Sequence, residues 1–220
     1  MSNLAEAYDA NYRRDNYFEY ENWMYRPFIR ALIKKAGLKR GDRVLDAGCG
    51  QGFFSKLLCD IGLDIVGVDL SVEGIKTAKR NCTNPKAEFR AADIMSLPYA
   101  STFDCVYNRS CSLYNKRNLQ ECDEVTETLF RYVKPGGVLI FDYYTKLSPR
   151  EESRSWTYHQ LGAVREHFAR FPQAKVYFSL RVETFLLGAS ALTGPMTLFN
   201  SSVSRMSGIG GEVIAIIRKR

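Results

Sequence analysis

The stretch VLDAGCGQGFF, residues 44–54, decides how the rest of the chain is read. An apolar run ends in Asp46, passes through small residues spaced by glycine, and gives way to two aromatics that open a helix. A turn of this kind between a strand and a helix lets a ligand approach the backbone, where free amides and the helix N-terminus face it. The glycines are Gly48, Gly50 and Gly52. The dinucleotide fingerprint needs G-x-G-x-x-G, and Phe53 stands where the third glycine belongs, crowding the close helix–strand approach. The Lys-Ser or Lys-Thr of a P-loop is missing as well. Phosphate cradling therefore loses ground, and a dehydrogenase becomes a distant reading.

On either side of this loop, β-rich runs alternate with helical periodicity. RVLDAG (43–48) is a short buried strand, and FFSKLLCDIG (53–62) is an amphipathic helix closed by Gly62. DIVGVDLS (64–71) is a second strand, followed by SVEGIKTAKRNC (71–82), a helix with Ser71 as N-cap. AEFRAAD (87–93) and FDCVYNRS (103–110) are the third and fourth strands. NLQECDEVTETLFRYV (118–133) is a long helix, KPGG (134–137) a turn, and VLIFDYY (138–144) a fifth strand. Such alternation implies βαβ units and a parallel sheet covered on both faces. Residues 17–36 form an amphipathic helix ahead of the first strand. Beyond residue 145 the pattern is harder. Residues 155–171 are partly helical, 177–189 read as another helix, and LTGPMTLFNSS (192–202) and GEVIAIIRKR (211–220) as late strands. Those two strands fit an antiparallel extension of the sheet.

Bulk properties narrow the classes. The 220 residues suit one domain, or one domain with a modest insertion, and 45% hydrophobic with 25% charged residues is ordinary for a globular protein. No apolar run approaches the roughly 20 residues of a membrane-spanning helix. The N-terminal stretch lacks the apolar centre of a signal peptide, so the expected location is the cytoplasm and no membrane partner is expected. The six cysteines contain no C-x-x-C pair, and with two histidines far downstream no metal site is expected. A net charge of +7, from 31 Lys and Arg against 24 Asp and Glu, leaves an acidic partner such as RNA as a minority option, because the basic residues are scattered.

The loop, VGVDLS (66–71), AADIMSLPY (91–99) and VKPGGVLIFDYY (133–144) together resemble the class I S-adenosylmethionine-dependent methyltransferases, in order and at the family's spacing. The resemblance covers roughly residues 40–145 closely and the remainder more loosely. It implies a Rossmann-like, doubly wound α/β fold whose seven-stranded sheet is mostly parallel with an antiparallel last strand. It also implies S-adenosyl-L-methionine as cofactor. Residue by residue, Gly48, Cys49 and Gly50 would hold the methionine portion, with Asp46 fixing the loop. Asp69 and Leu70 would meet the ribose, Asp93 and Ile94 the adenine, and Asn108 would lie near the sulfonium. A helical lid segment at 1–40 would precede the cofactor-binding domain at 41–220, in which 146–210 form a substrate-side insertion and the late strands.

The acceptor is less legible. A sulfonium is already an activated methyl donor, so positioning can supply much of the rate and no fixed catalytic residue is required. Candidates for one are His159, Tyr143 and Tyr144, the tyrosines because they end the fifth strand at the cleft edge. Tyr12, Tyr17 and Trp23 either form an aromatic lid or pack the N-terminal helix, with packing favoured for Trp23. The stretch NRSCSLY (108–114) has no Asn-Pro-Pro-Tyr, which lowers base methylation in DNA. The expected acceptor is an oxygen or nitrogen of a small molecule. An RNA or protein methyltransferase, and a non-catalytic cofactor-binding regulator, stay open.

Overall fold

In the computed structural model, which describes residues 2–14, 22–148 and 156–220, the described strands form one seven-stranded sheet in the order β3-β2-β1-β4-β5-β7-β6. The strands are β1 (Arg43–Ala47), β2 (Asp64–Asp69), β3 (Ala87–Ala91), β4 (Phe103–Arg109), β5 (Val133–Thr145), β6 (Lys175–Ser179) and β7 (Gly211–Arg218). Only β7 runs against its neighbours, pairing antiparallel with β5 and with β6. The doubly wound sheet with an antiparallel last strand is thus as expected. The order reverses between β1 and β4, the crevice where open α/β sheets place ligands.

The central strands β1, β4 and β5 are apolar on both faces because helices cover both. One core layer gathers α2 (Asn22–Ala36) and α3 (Phe53–Ile61) around Phe28, Leu32, Leu58 and Ile140. The other gathers α5 (Asp123–Tyr132) and α6 (Leu161–Phe168) around Leu129, Phe141 and Phe168. The local signals act as read. Gly62 closes α3 at φ 104°, and the Ser71 hydroxyl accepts from the Gly74 amide (2.9 Å) to cap α4 (Val72–Asn81). An additional helix, α1 (Ser2–Arg14), lies against α4.

Several boundaries differ from the sequence reading. The helix expected over 17–36 is described from Asn22 on; residues 15–21 lie outside the described residues. The helix expected from 118 begins as a 3-10 turn, Leu119–Cys122, before α5. KPGG is not a free turn but a bulge inside β5: Phe103 pairs with Val133 and Cys105 with Val138. Of 155–171 only Leu161–Phe168 is helical among described residues. The helix expected over 177–189 divides into edge strand β6 and the short α7 (Glu183–Leu187).

The strand expected at 192–202 is instead helix α8 (Gly194–Ser207). Its ends carry clear helix signals. Thr193 is the N-cap, its hydroxyl accepting from the Met196 amide, Pro195 sits in the first turn, and Gly208 ends the helix at φ 75°. The apolar spacing misleads because α8 is inverted, turning Thr197, Asn200, Ser201 and Ser204 inward. Two of them, Thr197 and Asn200, serve the open edge of β6. The Thr197 hydroxyl accepts from the Phe178 amide (3.2 Å), and Asn200 Nδ2 donates to the Phe178 carbonyl (3.4 Å). An unpaired sheet edge is thereby closed by side chains.

Candidate active site

The carboxyl ends of β1, β2 and β4, with the turn after β3, open on a single cavity of about 1080 Å³. Its floor is the glycine loop. The Gly48 and Cys49 amides both donate to the Val68 carbonyl (2.8 and 3.1 Å), folding the loop back across β2. Gly50 stands at φ 52° and Gly52 at φ 83°, a left-handed region in which side chains are strained. A Cβ on Gly50 would lie 2.7 Å from the Tyr12 hydroxyl, and one on Gly52 would lie 2.8 Å from Ala78 Cβ of α4. Bare backbone therefore faces the cavity at Gly50, while Gly52 lets α3 approach α4.

Asp69 joins the two turns. One carboxylate oxygen accepts from the Gly50 amide (2.8 Å) and the other from the Ser71 amide (2.9 Å). Burial raises its pKa against those backbone hydrogen bonds. With a further backbone hydrogen bond from Leu70, the carboxylate still keeps lone-pair capacity for a donor in the cavity. Asp93 caps the 3-10 turn Ile94–Ser96, accepting from the Met95 amide (2.9 Å), and the buried Ile94 is held by its carbonyl, which accepts from Tyr132 (2.8 Å). Gly48, Cys49, Gly50, Asp69, Leu70, Asp93, Ile94 and Tyr144 all line the cavity.

Four other expected site residues do not line it. Asp46 lies beneath the loop, where burial pushes its carboxyl up to about 7 and the Ser55 hydroxyl donates to it, tying β1 to α3. Asn108 donates to the Ala47 carbonyl (2.9 Å) and so holds the loop from behind. Tyr143 points to the opposite face from Tyr144, as alternation requires, and stacks between Phe141 and Trp156 at 5.6 and 5.0 Å. His159 packs on that ring at 4.7 Å and donates from Nε2 to the Tyr114 carbonyl (2.7 Å); burial lowers its pKa. Both side chains are built into the core, which removes the geometric basis for His159 or Tyr143 as a general base. Tyr12 covers the cavity, Tyr17 lies outside the described residues, and Trp23 is exposed instead of packed.

Sequence reasoning placed a lid segment at 1–40 without the contacts that hold it, and it missed the far end of the cavity. Helix α1 is pinned over the loop: Asp9 accepts from the Ser71 hydroxyl and from the Glu73 amide (3.1 Å), and Gln51 donates to the Tyr12 carbonyl (3.2 Å). This places Tyr8, Asn11 and Tyr12 in the cavity wall. At the other end stand Tyr25, Phe54, Trp156, Tyr158 and the buried Arg109. The Arg109 guanidinium lies 4.1 Å from the Phe54 ring centre and bonds Glu212 Oε1 at 2.9 Å; Arg181 bonds the same oxygen at 2.8 Å. Burial works against ionisation of Glu212, but the two guanidiniums outweigh it and lower its pKa. Asp142, whose carboxylate accepts from the Tyr107 hydroxyl (2.7 Å), is pushed by burial and by Glu212 up to about 8. A buried arginine at the end of a strand was the available signal. Ser110, beside it, holds a left-handed φ of 44°, a strained position at the cavity wall.

This fold and this site define a class. A methyltransferase domain family matches residues 38–175, more than half of the chain, and the chain belongs to that family of S-adenosylmethionine-dependent domains. It is 31% identical over 158 residues to a demethylmenaquinone methyltransferase of Renibacterium salmoninarum, covering 70% of this chain and 64% of the relative. It is also 31% identical over 144 residues to a malonyl-[acyl-carrier protein] O-methyltransferase of Enterobacter lignolyticus, covering 64% and 54%. The chain thus matches between half and two thirds of these relatives' lengths. Among solved structures, a geranyl diphosphate C-methyltransferase from Streptomyces coelicolor A3(2) shares the fold with a TM-score of 0.64 at 14% identity, over 100% of this chain and 99% of that one.

Proposed function

We propose that this chain transfers a methyl group from S-adenosyl-L-methionine to an oxygen or nitrogen of a small-molecule acceptor, within the cavity described above. The observation that carries the reading is the meeting of Asp69, Asp93 and the bare Gly50 backbone around one cavity, with an aromatic chamber at its far end. The residues fit the cofactor. Gly48–Gly50 offer backbone to its amino-acid portion, the open lone pairs of Asp69 suit a ribose diol, and Asp93 with Ile94 suit an adenine edge and face. When bound, the cofactor supplies a methyl group already activated on a sulfonium.

The chain's own contribution is then positioning and exclusion of water. Helix α1 covers the loop through Asp9 and Gln51. Phe54, Tyr25, Trp156 and Tyr158 give the acceptor an apolar seat, and Tyr144 is the phenol at the end of β5 that reaches it. An acceptor under such a lid is small or presents a slender group. The relatives are a demethylmenaquinone methyltransferase and a malonyl-[acyl-carrier protein] O-methyltransferase, which supports a small or carrier-bound acceptor without choosing between them.

The test uses S-adenosylmethionine labelled on its methyl group, incubated with the protein and fractionated cell extract. Label in the small-molecule fraction is expected. Label in precipitated RNA or protein replaces the small acceptor with a macromolecular one, for which the +7 charge would then account. Cofactor binding without transfer into any fraction points to a regulator.

A further inference from the structure

We propose that the surface formed by α2, α7 and the outer face of α8 docks the protein on an anionic lipid bilayer. The apolar part of that surface is unusual in extent. On α7, Phe185, Leu186 and Leu187 are consecutive and are 65%, 85% and 47% exposed; Thr184 is the buried residue of that helix. Trp23, at the start of α2, is 60% exposed. Helix α8 adds Leu198, Phe199 and Met206 on its outer side, because its inner side is given over to the polar groups that close the β6 edge. Closing that edge explains why polar residues face inward. It does not require apolar residues to face outward.

Charge decides the occupant. A groove between α2 and α7 is lined by Arg26, Arg30, Lys34 and Lys35 beside Trp23 and Phe185, and no acid is among its described lining residues. Arg26 is engaged by Asp60 (2.9 Å) and Lys35 lies over the Tyr177 ring, whereas Arg30 and Lys34 are exposed on the outer face of α2. A second copy of this chain would bring the same cations together, which like-charge repulsion opposes. An anionic bilayer attracts them. A bilayer also accepts protruding side chains without a complementary hollow, and favours tryptophan at the headgroup level. Leu186, the most exposed residue of a five-residue helix, is such a protrusion.

Co-sedimentation with phosphatidylcholine vesicles, with and without phosphatidylglycerol, tests this directly. Wild-type protein is expected to sediment with the anionic vesicles alone, less so as salt rises. Arg30→Glu/Lys34→Glu and Phe185→Glu/Leu186→Glu are each expected to lower the partition about tenfold or more. Adenosylhomocysteine binding, which none of these residues touches, should stay unchanged and so report an intact fold. Absence of binding to anionic vesicles overturns the proposal, as does binding that both variants retain. Light scattering that shows a wild-type dimer dissociated by the Phe185→Glu/Leu186→Glu variant, without vesicle binding, replaces the bilayer with a second copy.

Discussion

Between β1 and β5 the chain buries mainly apolar side chains, whereas from Ser179 to Ser207 hydroxyls, amides and a carboxylate turn inward beside the buried Ala191 and Leu192. In the first region Val44, Leu45, Cys105, Val106, Leu139 and Ile140 fill both faces of a parallel sheet, and the ligand-facing groups sit at the strand ends. In the second, Glu183 Oε1 accepts from the Ser179 hydroxyl (2.6 Å), the Leu180 amide (3.2 Å) and Asn200 Nδ2 (2.8 Å). That knot holds Arg181 at a left-handed φ of 72°, aiming it at Glu212 and over Tyr25 and Tyr144. The difference separates two jobs. Apolar burial builds the floor of the cavity, and a polar network shapes its far end while freeing apolar residues for the outside.

Substitutions in the two regions should therefore fail in different ways. The largest effect is expected from Gly67→Val in β2, where a Cβ would stand 2.6 Å from the Phe89 ring and 3.0 Å from Cys49 Sγ. Overpacking there should cost about 3 kcal/mol of global stability, visible as a lower midpoint in denaturant melts together with weaker cofactor binding. Glu183→Ala strips three donors of one acceptor and should cost about 2 kcal/mol. Hydrogen exchange should place that loss in α7 and α8, with cofactor affinity kept. If instead the whole sheet loosens, the two regions are one cooperative unit and the contrast fails. Thr193→Ala removes the N-cap of α8 and should cost about 1 kcal/mol, again confined to the late segment in exchange experiments.

The same contrast explains what the sequence discloses. The elements from residue 43 to 145 were legible because the strands other than β3, where only Phe89 is buried, are runs of largely buried apolar residues, and turns carry their own chemistry, Gly62 and Ser71 included. Helix α8 was not, since its apolar residues point to solvent and the periodicity inverts; Thr193, Pro195 and Gly208 were the signals that outweighed it. Strand β6 was hidden for a related reason, as its five residues run on towards α7 with only Leu180, Arg181 and Val182 between them. In the site, the glycine loop and the acids at the ends of β2 and β3 were readable from local spacing. Arg109, Tyr25 and Glu212 meet only through tertiary packing over 84 and 103 residues of sequence separation, which no local pattern records. His159 invited a catalytic reading from its position after β5, and its partner, the Tyr114 carbonyl, is visible only in the fold.

The central claim is that the β1–β3 loops form the cofactor site through Asp69. Calorimetric titration of adenosylhomocysteine into wild-type protein and into Asp69→Ala tests it most directly, with circular dichroism confirming a folded variant. One binding site is expected in the wild type, with affinity lowered in the variant by about 1.5–3 kcal/mol through lost charge-assisted hydrogen bonds. That corresponds to roughly ten- to more than a hundredfold weaker binding. Unchanged affinity in Asp69→Ala would contradict the account and move the ribose-binding role elsewhere in the cavity.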